Sequence, residues 1–416
     1  MSENKYDTIV VGGGASGLMA CGRLAEQGYR VLLVEKNKKL GEKLRISGGG
    51  RCNITNGEKD IHKFVATYGK KGKFLYSVFD QFSPADTFKF FESRGLPLVI
   101  QARQRAFPNT ERAEDVVKLM ENYAQGGKVT IKTGSPVTRI HSENNLITGI
   151  SCGKNLYTAK DYIFATGGVS HPETGSTGDG FKWLRDLGHN IAEPTPSIVP
   201  LATNESWSHE LAGVSLSFMK ITFFVEGKKA FSKTGKILFT HFGLSGPLIL
   251  NSATKVSDLL YDGQVTAKID AYPDTDLGAL DKRLVAIFDI NKNKILKNIV
   301  KEFTPEGTHK GILMLLADKI DLEKKVHSIS RDERKLIVHL LKALPLTIDG
   351  LMGFDRAVIA DGGVPLEEID MRTMRSTIIN NLYITGDLLH INRPSGGFSL
   401  QLIWSTGYVA GSHAGI

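Results

Sequence analysis

Cysteine is scarce in this chain, and its spacing suits no paired chemistry. Cys21, Cys52 and Cys152 are the only three in 416 residues, and no C-x-x-C occurs. That argues against a structural disulfide, a zinc site and the dithiol of a flavin disulfide reductase, so no metal is expected. Long apolar runs are lacking too: none approaches the roughly 18 residues of a membrane span. Residues 1–7 carry no apolar core of the signal-peptide kind, so a cytoplasmic protein without a membrane partner is expected. Nor is there a second G-x-G-x-x-G to hold a nicotinamide nucleotide firmly.

What the chain does have begins at once. Asp7-Thr8-Ile9-Val10-Val11 is a short β-branched run of the kind buried on both faces in a parallel sheet. Gly12-Gly13-Gly14-Ala15-Ser16-Gly17 follows it, then a helical stretch from Leu18 to Gln27 and a second apolar run, Val31 to Val34, that ends on Glu35. Gly12 permits the tight turn, Gly14 lets a pyrophosphate approach the backbone, and Gly17 lets helix and strand pack closely. Ala15 and Ser16 open the helix, whose free N–H groups favour phosphate, and Glu35 is placed for ribose hydroxyls with Lys36 beside it. The spacing identifies a dinucleotide-binding βαβ unit.

Ser47-Gly48-Gly49-Gly50-Arg51-Cys52-Asn53 makes a poor helix and a poor strand. A loop whose backbone must approach something closely is expected there, lining the far, redox-active half of the dinucleotide. Cys52 is either a proton donor to a substrate carbon or a small buried residue, and Cys21 reads as core. A segment near Val137 is expected against the adenine. The strand Tyr162 to Ala165 ends in Thr166-Gly167-Gly168, again glycines at a strand end.

Composition shifts at Pro194-Thr195-Pro196, and from Leu201 to Ala271 the pattern alternates in period two. Within it Thr240-His241-Phe242-Gly243-Leu244-Ser245-Gly246-Pro247 reads as a loop entering a helix, with His241 available for chemistry or for a cap. From Asp276 to Leu344 the period is helical, with four amphipathic helices expected. The C-terminal part returns to the first pattern: a strand ending Gly386-Asp387, a crossing at Gly396-Gly397-Phe398, and a helix. There the aspartate can take ribityl or ribose hydroxyls, and the helix N-terminus faces the cofactor.

Together, Gly12 to Gly17, Glu35, Ser47 to Asn53, Thr166-Gly167-Gly168, Gly175 to Gly180, Thr240 to Pro247, Gly386-Asp387 and Gly396-Gly397-Phe398 resemble the three-domain bacterial flavoprotein family of BaiN-type and YhiN-type proteins and the aminoacetone oxidases. The resemblance implies non-covalent FAD and an α/β, glutathione-reductase-like Rossmann domain built from both chain ends. It also implies an inserted β-rich domain and a helical domain inserted into that. The expected boundaries are 1–193 with 365–416, 194–271 with 345–364, and 272–344. The chain departs from the family at Gly386-Asp387-Leu388-Leu389-His390-Ile391-Asn392-Arg393, where acidic groups usual near the flavin give way to His390 and Arg393. Cys52, Asn53, His241, His390 and Arg393 are therefore the catalytic candidates.

Three functions are open, two of them implied by the resemblance and the last drawn from another class. The first is a reductase of an electron-poor C=C bond, with NAD(P)H as transient donor and an unsaturated ketone or uridine in ribosomal RNA as substrate. The second is an oxygen-dependent oxidase of a small amine such as aminoacetone, and the third a flavin-containing RNA-binding protein without turnover. Between Lys36 and Arg112 stand 16 basic and 7 acidic residues. That excess, through Lys36, Lys38, Lys39, Lys43, Arg103, Arg105 and Arg112, favours RNA over a cationic amine.

Overall fold

The computed structural model describes residues 5–415. The β-branched run after Tyr6 forms β1 (Lys5–Val11), the glycine turn opens α1 (Ala15–Glu26), and β2 (Arg30–Val34) follows. β1 lies between β2 and the strand Asn155–Phe164, parallel to both. Lys128–Lys132 extends the sheet beyond β2, and Leu382–Ile384 extends it beyond Asn155–Phe164, both parallel. Hairpin strands Arg139–Glu143 and Leu146–Cys152 join on the side, and two short antiparallel strands finish one edge.

Register decides where this sheet can bind anything. Val11 pairs with Val34 and with Phe164, and Phe164 pairs with Ile384. The four strands therefore end level, and the residues that follow them, Gly12, Glu35, Ala165 and Thr385, share one edge. In an open α/β sheet that carboxyl edge is the binding edge. The C-terminal helix Phe398–His413 lies against α1 so closely that a Cβ on Gly407 would come 2.5 Å from Ser16 O, and one on Gly411 2.6 Å from Ala20 O.

Compactness divides the chain in two: Met1–Pro196 with Val358–Ile416, and Ser197–Ala357. The second unit holds a closed six-stranded barrel, ordered Leu201–Thr203, Gly243–Ser245, Lys228–Thr240, Ser215–Val225, Val265–Asp270, Leu344–Leu351. Four α-helices, Leu277–Ile290, Leu296–Phe303, His309–Ala317 and Arg331–Lys342, run between its last two strands. Barrel and helices share one apolar cluster, from Phe223 and Ile269 to Leu284 and Ile337. Residues 358–364, grouped by sequence with the β-rich part, lie in the first unit. There the strand Ile359–Gly363 pairs with Ala192–Ser197.

Candidate active site

The nucleotide end of the site is built from glycine. Gly12 has φ +107, and a Cβ there would sit 2.4 Å from Ala165 O; one on Gly17 would sit 1.9 Å from Gly12 O. These two glycines let strand, turn and helix interlock. Gly13, not singled out in the sequence, does the same against Leu40, whose Cδ2 would be 2.3 Å from an added Cβ. Gly14 is different: nothing lies within 4 Å of the space a side chain would take. That opening faces the N-terminus of α1, where no side chain caps the helix and no acidic residue occupies the first turn. The residues thus fit a pyrophosphate, which would supply the missing acceptors.

Glu35 is held by its own neighbours. Its Oε2 accepts from Gly13 N at 2.7 Å and its Oε1 from Asn37 N at 2.7 Å, which leaves further lone pairs for ribose hydroxyls. Ser135 N donates to Glu35 O (2.9 Å), which ties the segment carrying half-buried Val137 to the end of β2. Lys36 turns elsewhere: its ammonium donates to Thr177 Oγ1 (2.6 Å) and Asp179 Oδ2 (2.7 Å).

The far end is assembled from three chain segments. The stretch read as a loop begins as a helix, α2 (Glu42–Gly50), because Leu44 is buried and Arg45 ion-pairs with Glu114 and Glu121. Its helical geometry fails at Ser47 (ψ 144), and Gly48 and Gly49 take φ +58 and +69. Ser47 O then accepts from Cys52 N (2.9 Å), closing a tight loop. Cys52 is fully buried, and burial pushes its thiol up to about 12, with a counteracting hydrogen bond from Ser47. With its amide nitrogen donating to Ala106 O (3.2 Å) and Thr55 O (3.1 Å), Asn53 accepts from Gly397 N at 2.9 Å. Its side chain thus secures the glycine crossing. Arg51 stacks over Phe107, 4.5 Å from the ring centre, and its Nη1 donates to Gln101 Oε1 at 3.4 Å.

Thr166, Gly167 and Gly168 follow the strand Asn155–Phe164. A Cβ on Gly167 would lie 2.8 Å from Ser176 Oγ and 3.9 Å from Lys43 Nζ; one on Gly168 would lie 3.4 Å from Asp387 O. Gly386 (φ +63) packs on Ser16, and Thr385 Oγ1 donates to Ser16 Oγ (3.2 Å). Gly397 (φ +97) could take no Cβ, which would be 2.2 Å from Thr55 O. Phe398 begins the C-terminal helix, its carbonyl accepting from the buried Tyr68 hydroxyl at 2.8 Å.

Of the five catalytic candidates, Cys52, Asn53, His390 and Arg393 belong to the first unit. Arg393 is 1% exposed and Nη1 stands 2.8 Å from Asp387 Oδ1. His390 is half-buried, with Nε2 3.7 Å from Asp361 Oδ1; burial, and then Lys71, lowers its pKa below the ordinary 6.5. His241 belongs to the barrel unit, on the turn between Lys228–Thr240 and Gly243–Ser245, with its ring 4.9 Å from that of Phe242. Lys43 entered the sequence reading only as surface charge. It is instead half-buried, donating to Ser170 Oγ at 3.2 Å, and a lysine inside a glycine-rich stretch gives no pattern that would reveal this.

The HI0933-like protein Rossmann domain model matches residues 6–413. The 3-dehydro-bile acid delta(4,6)-reductase of Clostridium scindens is 27% identical over 411 residues, covering 97% of this chain and 98% of that protein. The ribosomal RNA dihydrouridine synthase of Escherichia coli is 28% identical over 409 residues, covering 97% and 96%. The solved 3-ketosteroid-delta4-(5alpha)-dehydrogenase from Rhodococcus jostii RHA1 aligns with a TM-score of 0.56 at 13% identity, over 100% of this chain and 97% of that one, a likeness of fold. The glycine cradle, the level strand ends and a family match over nearly the whole chain lead to one conclusion: this protein belongs to the HI0933-like Rossmann-domain family and is an FAD-dependent oxidoreductase.

Proposed function

We propose that the protein is an NAD(P)H-linked reductase that saturates an electron-poor C=C bond, with uridine in ribosomal RNA or an unsaturated ketone as substrate. The observation that carries this reading is the pair of full-length relatives, one named a reductase and one a dihydrouridine synthase. Bound FAD supplies the hydride chemistry. Gly12 to Gly17 and the α1 N-terminus hold its pyrophosphate, Glu35 its ribose, and Asp387 its ribityl hydroxyls. Ser47, Gly48, Thr166 to Gly168, Gly396 and Gly397 bring backbone close to the ring.

A saturating step also needs a proton donor. In the first unit Cys52 is sealed and Arg393 is buried, so His390, half-buried and titrating below 6.5, is the donor of choice. Protonated His390 Nε2 would give up its proton, so turnover should fall as pH rises through that lowered pKa. His390→Gln should flatten the fall.

Anaerobic mixing of the holoprotein with NADH or NADPH tests the reading. Reduction of the flavin, followed by slow reoxidation in air and fast reoxidation by an enone or by ribosomal RNA, is expected. Rapid reoxidation by oxygen alone, with turnover of aminoacetone, would move the assignment to an amine oxidase. Mass spectrometry of ribosomal RNA from a deletion strain separates the two reductase substrates. A missing dihydrouridine identifies RNA, and unchanged RNA leaves the ketone.

A further inference from the structure

Asp387 opens the turn after the strand Leu382–Ile384, and Arg393 precedes the glycine crossing into the C-terminal helix. Arg393 is among the largest fully buried side chains of the protein. A guanidinium paired with a carboxylate can match its fork even when half-buried, as Arg334 does on Asp281 with Nε–Oδ1 2.7 Å and Nη2–Oδ2 3.2 Å. Arg393 does not. Nη1 is 2.8 Å from Asp387 Oδ1, yet Nε, Nη1, Nη2 and Oδ1 itself all lack a directed hydrogen bond.

A second cation bears on the same carboxylate. Burial lowers the pKa of Lys43, with Asp387 opposing and Arg393 adding to the fall; Glu173 acts on Lys43 more weakly. Burial pushes Asp387 up, but Arg393 and Lys43 outweigh it and hold the carboxyl below its usual range. Tyr68, which also feels Arg393, stays neutral because burial raises its hydroxyl. Arg393 is thus the ion-pair partner of the carboxylate in a place of low dielectric, while Lys43, held on Ser170 Oγ, adds its charge from farther off. Arg393, at 1% exposure, is closed to any substrate entering from solvent. Asp387 has the more open side chain, 12% against 1%, and touches the glycine edge at Gly168.

We propose that Arg393 is a positioning residue acting through Asp387: it fixes Asp387 as an oriented carboxylate against the ribityl hydroxyls of FAD, with the charge of Lys43 helping to keep it ionised, so that cofactor retention does not depend on pH. The inference rests on the FAD reading of the site. Without the guanidinium, the buried carboxyl would protonate as pH falls and lose its strong acceptor character.

The test is the FAD dissociation constant of the full chain, followed by flavin fluorescence between about pH 5 and about pH 8. Wild type is expected to be flat. Arg393→Met should bind FAD about tenfold to a hundredfold more weakly, because the ribityl hydroxyls lose a hydrogen bond to an oriented, charged Asp387, and the loss should steepen as pH falls. Asp387→Asn should weaken binding equally at every pH, and Arg393→Met should add nothing in that background. Arg393→Lys should recover part of the affinity and most of the flatness, keeping the charge without the fork; it also serves if Arg393→Met does not fold. Flat, wild-type-like binding by Arg393→Met or, where that variant does not fold, a pH profile of Arg393→Lys as steep as an unpaired carboxyl's overturns the proposal. So does a full loss from Arg393→Met in the Asp387→Asn background. A folded wild type that binds no FAD at any pH overturns the FAD reading instead.

Discussion

Gly14 and Gly17 stand three residues apart in one turn, and their surroundings predict opposite consequences of substitution. An added Cβ at Gly17 would overlap Gly12 O at 1.9 Å, and backbone cannot step aside. Gly17→Ala is therefore expected to destabilise the fold by about 1–3 kcal/mol, seen as a lower denaturant midpoint with or without cofactor. Gly14 has φ −83 and open space, so Gly14→Val should leave the apoprotein within about 1 kcal/mol of wild type while FAD affinity falls on the order of a hundredfold. Stoichiometric FAD in purified Gly14→Val would refute the phosphate assignment. The cysteines make a second expectation at this scale. All three are buried; burial pushes the thiols of Cys21 and Cys52 up to about 12 and raises that of Cys152. Iodoacetamide at pH 8 should label none in the native protein and all three after denaturation, whereas rapid native labelling of Cys52 would restore it as a proton donor.

At the scale of elements, the C-terminal helix does two jobs through one contact. Gly407 and Gly411 seat it on α1, which brings its N-terminus to the same edge as the glycine turn. Thr406 Oγ1, one residue earlier, accepts from Gly386 N at 3.1 Å and so fixes the turn that carries Asp387. A second tie joins the helix Asp179–Asp186 region to the C-terminal segment. His189 has a fully buried ring, with Nδ1 2.8 Å from Glu368 Oε2 and Nε2 2.9 Å from Ser376 Oγ. Burial lowers its pKa below 6.5, and Glu368 only partly offsets that. The unfolded chain therefore binds a proton that the folded chain resists. The stabilisation is complete above about pH 6.5 and is lost as pH falls below it. The melting temperature should drop on acidification, and His189→Gln should remove part of that slope. An unchanged slope would exclude the histidine as its source.

Over the whole molecule, the basic excess between Lys36 and Arg112 proves only partly available. Lys36 is bound to Asp179 and Lys43 points inward, whereas Lys38, Lys39, Arg103 and Arg112 are exposed and Arg105 is half-buried. If ribosomal RNA is the substrate, about five phosphate contacts from these groups predict a loss of affinity of roughly a few hundredfold between about 50 mM and about 200 mM salt. Replacing Arg103 and Arg105 with alanine should lower the slope by about two contacts. Salt-independent turnover of a small ketone would remove RNA from the proposal.

The sequence by itself determined the βαβ unit, the roles open to Gly12, Gly14 and Glu35, and the return of the C-terminus to the first sheet. These follow from local rules, because a turn that must admit a phosphate and a strand buried on both faces each restrict residue type position by position. The four helices between Asp276 and Leu344 were equally legible from period. The tertiary structure alone decided what distant side chains do to each other. It withdrew Cys52 into the core, spent Asn53 on Gly397, Lys36 on Asp179 and Lys43 on Ser170, and set Arg393 against Asp387. No local pattern carries such information, since burial and charge pairing depend on which segments, hundreds of residues apart, arrive at the same strand end.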